Sequence, residues 1–213
     1  MTESGSRLAL LRRLAATAPG DEGHDTVVML THPVLAAPEE RAAARRLVDA
    51  LGPTHIIAVD SARAAAAYAA PAGGSPLLVI DLGARLTEVT LVVDGLVQDA
   101  RLAEVGVDDP PGSGGDAPIG TARSSADSVA GTAADMVSDL WRWDRTGAVR
   151  GALRRGVLVT GGGALSLDVT GRLAHLLRAR LRLVNDPQTS VVRGAGLMLT
   201  SALRHPTAAL PRT

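Results

Sequence analysis

The stretch from Gly156 to Met198 reads GVLVTGGGALSLDVTGRLAHLLRARLRLVNDPQTSVVRGAGLM. Val157-Leu158-Val159 is a short apolar run of the kind that makes a buried strand, and it ends at Thr160 and the triple glycine Gly161-Gly162-Gly163. Leu165, Leu167, Leu173, Leu176 and Leu177 follow in an apolar-periodic segment. A second strand-like run covers Leu181 to Val184, and Gly194-Ala195-Gly196 lies in a further helical segment. Glycine directly after a strand lets the backbone take positive φ and approach a ligand that a Cβ would push away. Strand, glycine turn, helix, strand and helix in this order predict an α/β fold.

Working outward, residues 7–18 place Leu8, Leu11 and Leu14 at helical spacing among Arg7, Arg12 and Arg13. Thr26 to Leu30 reads as a buried strand, and Pro38-Glu39-Glu40 starts a helix that Gly52-Pro53 stops. Ile56 to Val59 is a strand, and Ser61 to Tyr68 an Ala-rich helix suited to close packing. Pro71 to Ser75 reads as a linker and a domain boundary. Beyond it, Leu77–Ile80, Glu88–Val93 and Leu96–Leu102 are strands, the last two joined by the hairpin turn Asp94-Gly95. With Val157–Val159 they are expected to form one mixed sheet flanked by helices. Val105 to Thr121 is rich in Gly, Pro, Asp and Ser and reads as a flexible loop, and Ala122 to Trp143 as a helix. Trp141 and Trp143, two apart, cannot share one helix face, and are expected to be a core anchor and a rim residue.

The composition narrows the function classes. The chain has 213 residues, 46% hydrophobic and 21% charged, as a folded globular protein does. Twenty-two Lys+Arg balance twenty-two Asp+Glu, so no global basic field points to nucleic acid. The absence of Cys excludes disulfides, Cys-zinc sites and thiol nucleophiles. His24, His32, His55, His175 and His205 are scattered without ligand spacing, so no metal-binding cluster is expected of them. No apolar run approaches the ~20 residues that span a bilayer, and a cytoplasmic protein is expected.

The TGGGAL of Thr160–Leu165 and the later P-x-T-x-V-x-R-G-A-G of Pro187–Gly196 resemble the C-terminal part of MreB-type bacterial actins, in the actin/Hsp70 ATPase superfamily with its ribonuclease H-like fold. Asp81-Leu82-Gly83-Ala84-Arg85-Leu86-Thr87-Glu88-Val89 sits where those actins carry D-I-G-G-G-T-T-E-V, the second phosphate-binding turn. The resemblance runs from about Leu8 to Leu203 and implies an incomplete actin-like fold. Residues 1–74 would be a remnant of the first subdomain. Residues 75–190 would be the second-domain core, with the 105–121 loop replacing a subdomain. Residues 191–204 would form a helix returning to the first domain, and 205–213 a tail. The family's first phosphate turn, D-x-G-T-x-N-x, has no match before Leu8. The segment with which the family contacts adenosine after Val105 has none either.

The resemblance implies a site for ATP with magnesium at Asp81, Gly83, Arg85, Thr87 and Gly161, Gly162 and Gly163, with Asp81 reaching magnesium through water. Ala84, Arg85 and Leu86 replace two glycines and a threonine. Such a turn aims successive N–H groups at phosphate oxygens and needs the small volume of glycine, so these side chains should narrow the site. Arg85 is expected to face solvent, with direct pairing to phosphate as the alternative. Asp60 aligns with the family's glutamate in E-P-x-A-A-A, a candidate for positioning the attacking water, one methylene short; Ser61 and Arg63 depart from the family's Pro and Ala.

Two functions follow from the resemblance. One is a truncated MreB-like cell-shape protein with weakened or lost ATP binding, a modulator of a full-length bacterial actin or of the wall-synthesis machinery. The other is a divergent Hsp70-like ATPase, which Thr31-His32-Pro33 also resembles. A remnant without selected function is a third reading. Nucleic acid is not an expected partner. The basic N-terminal helix is expected to pack on the remaining sheet, with peripheral contact to an anionic membrane as the alternative if Leu8, Leu10, Leu11 and Leu14 have lost cover.

Overall fold

The computed structural model describes residues 3–16, 26–69, 76–108 and 125–204. In chain order the elements are α1 (Glu3–Ala15), β1 (Val27–His32), α2 (Pro38–Asp49), β2 (His55–Asp60), α3 (Ser61–Ala69), β3 (Leu77–Leu82), β4 (Thr87–Val93) and β5 (Leu96–Ala103). Then come α4 (Ser125–Trp143), α5 (Ala148–Arg155), β6 (Val157–Thr160), a 3-10 turn (Gly162–Leu165), α6 (Leu167–Leu177), β7 (Leu181–Leu183) and α7 (Ser190–Arg204). The linker expected at Pro71–Ser75, residues 109–121 of the expected loop and the tail lie outside the described residues.

Two sheets form. β1 and β2 make a parallel pair, and the second sheet has the order β5-β4-β3-β6-β7. The β3–β4 and β4–β5 pairs are antiparallel, while β3, β6 and β7 run parallel. The four-strand sheet expected from sequence therefore gains β7 as a fifth strand. Its three residues are too few for periodicity to assign a partner, and pairing with Val157–Val159 assigns it. β3 and β6 are buried nearly throughout and read as continuous apolar runs, as strands covered on both faces do. On one face α4, α5 and α6 bury Val129, Ala133, Leu140, Val149 and Leu173 against Leu78, Ile80 and Val159. On the other, α3 packs Ala62, Ala65 and Ala66 on Val79, Val92 and Leu158.

Local chemistry sets the helix ends. Glu40 accepts from Ala37 N–H at 3.0 Å behind Pro38, so the first turn of α2 is tied back to its own entry. Ser166 caps α6, and Arg178 ends it at φ +48°. The eight-residue α5 buries Val149 and Ala152 on one face and carries its arginines on the other. It starts because Asp144 accepts from Thr146 N–H at 2.9 Å and Val149 N–H at 2.8 Å. Gly194 of α7 lies directly on the Ala64 carbonyl, so the backbones of α3 and α7 meet where no Cβ fits.

Two expectations need correction. Trp141 is 51% exposed and Trp143 68% exposed, so neither anchors the core; Leu140 and Val137 fill the buried face of α4 instead. The start of the loop expected to be flexible is held. Val107 N–H donates to the Gly83 carbonyl at 3.1 Å and Asp108 N–H to that of Ala84 at 3.0 Å.

Candidate functional site

The carboxyl ends of β3 and β6 lie side by side, with Asp81 in register with Thr160. Each strand ends in one of the glycine-bearing turns singled out in the sequence. Parallel strands offer ligand sites at their carboxyl ends, where successive turns leave a crevice. Gly161, at φ +84°, passes so close to the Asp81 carboxylate and the Leu82 carbonyl that a Cβ there would overlap both. A Cβ on Gly163 would stand 2.8 Å from Leu82 Cβ and 2.6 Å from Val107 Cγ1. These glycines are thus required by packing between the two turns. Gly162 faces Gln188 with room to spare.

Below the glycines, the Thr160 and Ser190 hydroxyls share a buried hydrogen bond, and both lie 3.1 Å from the Pro187 carbonyl, which accepts from the one not donating to the other. Gly161 N–H donates to the same carbonyl at 3.0 Å. The turn before α7 therefore holds the triple glycine in place.

A cleft of about 360 Å³ opens on the other side of Asp81. Asp81 and Glu88 line it with the turn residues Gly83 to Leu86, and Pro33, just after β1, and Ser61, at the start of α3, close it. Ala84 and Arg85 are exposed at the tip of the turn. Gly83 N–H donates to the Leu86 carbonyl at 2.9 Å, which spends one amide inside the turn. The Thr87 side chain is fully buried, its hydroxyl donating to the Val105 carbonyl at 2.7 Å.

Asp81 and Glu88 are directly opposite on β3 and β4. Desolvation raises Asp81 to about 6. Desolvation, helped by the Asp81 charge, raises Glu88 to about 7 against the hydrogen bonds it accepts. Those bonds come from Val34 N–H at 2.6 Å and the Ser61 hydroxyl at 3.3 Å. Ser61 and Arg63, both departures from the family pattern, thus hold α3 to the second sheet: Arg63 Nε donates to the Gly95 carbonyl at 2.9 Å. The sequence signal for Ser61 was its place at a helix start; nothing marked Glu88 as its acceptor. Asp60 ends β2 opposite His32, with Oδ1 3.9 Å from His32 Nδ1, and is not in the cleft wall.

The residues fit a phosphate-bearing ligand in part. Asp81 lines the cleft and could hold a hydrated cation, but the space beside Gly83 and Gly161 is taken up by the Leu86 carbonyl and by Asp81 and Leu82. Yet two carboxylates face the cleft against the single guanidinium of Arg85, so a polyphosphate would need a cation to neutralise it. Among the described residues no cluster of three or more ligating side chains forms a metal centre.

No protein-family model matches the chain, and no curated protein matches it in sequence. Solved structures do. MreB5 of Spiroplasma citri bound to ADP superposes with a TM-score of 0.75 at 17% identity, over 94% of this chain and 76% of that one. The fold is that of the bacterial actins. The actin-like likeness extends to the MamK double helical filament, with a TM-score of 0.72 at 14% identity over 94% and 77% of the two chains. The ethanolamine utilization protein EutJ from Carboxydothermus hydrogenoformans matches with a TM-score of 0.61 at 16% identity, over 92% and 74%. At such identities the likeness concerns the fold alone. No helix among the described residues is long and apolar enough to cross a membrane.

Proposed function

We propose that this chain is an MreB-like, actin-fold protein of the cytoskeletal type with weakened ATP binding, which modulates a full-length bacterial actin or the wall-synthesis machinery attached to it. The observation that carries the reading is the β3–β4 turn. It keeps Asp81 and Gly83 but presents Ala84 and Arg85 at its tip, and residues 105–108 are hydrogen-bonded across it. Phosphoryl transfer depends on positioning, so a turn with side chains where glycines would lie holds the phosphates less closely. Magnesium, when bound, would neutralise phosphate charge beside Asp81; of the three glycines, Gly162 alone leaves room beside it for the rest of the nucleotide. The nucleotide bound to MreB5 and the filament formed by MamK support the two halves of the reading.

α1 carries Leu10 and Leu14 on an exposed side, 57% and 56% accessible, beside Arg12 and Arg13. Leu8 and Leu11 of the same helix are half-buried, so only the Leu10–Leu14 side is left for reversible contact with an anionic membrane surface as an accessory role.

Co-sedimentation with a full-length MreB-type homologue tests the main proposal. The chain is expected to leave the supernatant only when homologue filaments are present, and to lower the polymer mass. Robust polymer from this chain alone, or no effect on the homologue, would overturn it.

A further inference from the structure

The neutral net charge hides a strong asymmetry. From Arg145 to Arg182 the sequence holds eight arginines and one carboxylate, Asp168, leaving fourteen arginines against twenty-one carboxylates elsewhere. The fold gathers part of this excess. Arg154 and Arg155 end α5, Gly156 follows, and Val157 N–H donates to the Arg180 carbonyl at 2.9 Å. A Cβ at Gly156 would lie 3.0 Å from the Arg182 side chain. Four arginines thus surround the amino ends of β6 and β7, the end of the sheet opposite the cleft. Arg154, Arg155 and Arg180 are exposed, and none of the four pairs with a carboxylate among the described residues.

A second observation adjoins the first. Both tryptophans of the chain are exposed at the end of α4. Asp144, the next residue, caps α5, so the indoles stand at the start of the helix whose end carries the arginines. Arg150 and Arg154, four apart and exposed, join the two along α5. Eight helical residues span ~12 Å, the reach of about four residues of extended chain.

We propose that this face docks an acidic polypeptide segment carrying at least one large apolar side chain. Tryptophan and arginine are the residues that dominate protein–protein hot spots, and unpaired guanidinium groups supply the complement to carboxylates. The indoles lie about 200° apart around the α4 axis, which suits a segment that wraps the helix end better than a flat bilayer. The surface is remote from the cleft, so docking is independent of nucleotide.

Because the chain has only these two tryptophans, their emission reports directly on the surface. The full chain would be titrated at low salt with a synthetic glutamate–leucine peptide, phosphatidylglycerol vesicles and duplex DNA. The peptide is expected to shift the emission and bind most tightly, with affinity falling as salt rises. Arg154→Glu with Arg180→Glu should weaken it roughly tenfold or more, and the neutral Arg154→Gln with Arg180→Gln by less. Arg45→Glu, on α2, should leave it unchanged. No emission shift, equal binding by the charge-reversed chain, or tighter binding of vesicles or DNA than of peptide would overturn the proposal.

Discussion

Glu88 accepts a hydrogen bond from the backbone N–H of Val34 at 2.6 Å, across fifty-four positions of sequence. Val34 leaves the end of β1 and Glu88 is in β4, so this carboxylate holds the small sheet to the large one, with Ser61 as a second attachment. Glu88→Ala removes both acceptor oxygens and leaves the half-buried Val34 amide without its acceptor. A loss of about 1–3 kcal/mol is expected. Urea denaturation measures it, and hydrogen exchange should quicken first at Val34. Uniformly faster exchange across β3 and β6 would instead mean general unfolding.

The same carboxylates make stability depend on pH. Asp81 and Glu88 are raised in the fold to about 6 and 7, so the native state holds their protons at pH values where the unfolded chain has released them. Stability conferred in this way is complete below the ordinary carboxylate range and lost as pH rises from about 4 to about 7. The melting temperature should fall across that window, and Glu88→Gln should flatten the fall. A rise in stability over the same interval would refute the account.

The α3–α7 crossing gives a contrast between two glycines in one helix. A methyl at Gly194 would overlap the Ala64 backbone carbonyl, whereas at Gly196 it meets nothing within 4 Å. Gly194→Ala is expected to cost about 1–3 kcal/mol or more through overpacking. Gly196→Ala should gain about 0.5–1 kcal/mol from the lower entropy of the unfolded chain. Chemical denaturation of the pair separates the effects; equal stabilities would show that the helices do not touch there.

The proposed phosphate contact of the β3–β4 turn can be tested by restoration. If Ala84 and Arg85 narrow the site, Ala84→Gly with Arg85→Gly should tighten binding of ADP with magnesium by about tenfold, or ~1.4 kcal/mol. Asp81→Ala should then abolish the gain. Calorimetry decides it: weaker binding after restoration would mean that Arg85 itself meets phosphate.

The sequence by itself determined the strands, most helices and the two glycine turns. Those signals are local: Val157–Val159 is apolar, Gly161–Gly163 breaks it, and Asp94-Gly95 can only turn. It also marked Asp81 and Gly83 by their pattern, while Asp60, marked in the same way, stands opposite His32 outside the cleft wall. Only the tertiary structure decided which turns meet. Thr160 beside Asp81 is a matter of strand register, and Gly161 owes its necessity to a carboxylate eighty positions away. The exposure of Trp141 and Trp143 was illegible for a related reason. Burial depends on what packs against a helix: Leu140 lies in the core cluster while the indoles on either side of Arg142 stay exposed. The pairing of Ser61 and Val34 with Glu88 likewise exists only once α3 and the end of β1 are packed against the second sheet.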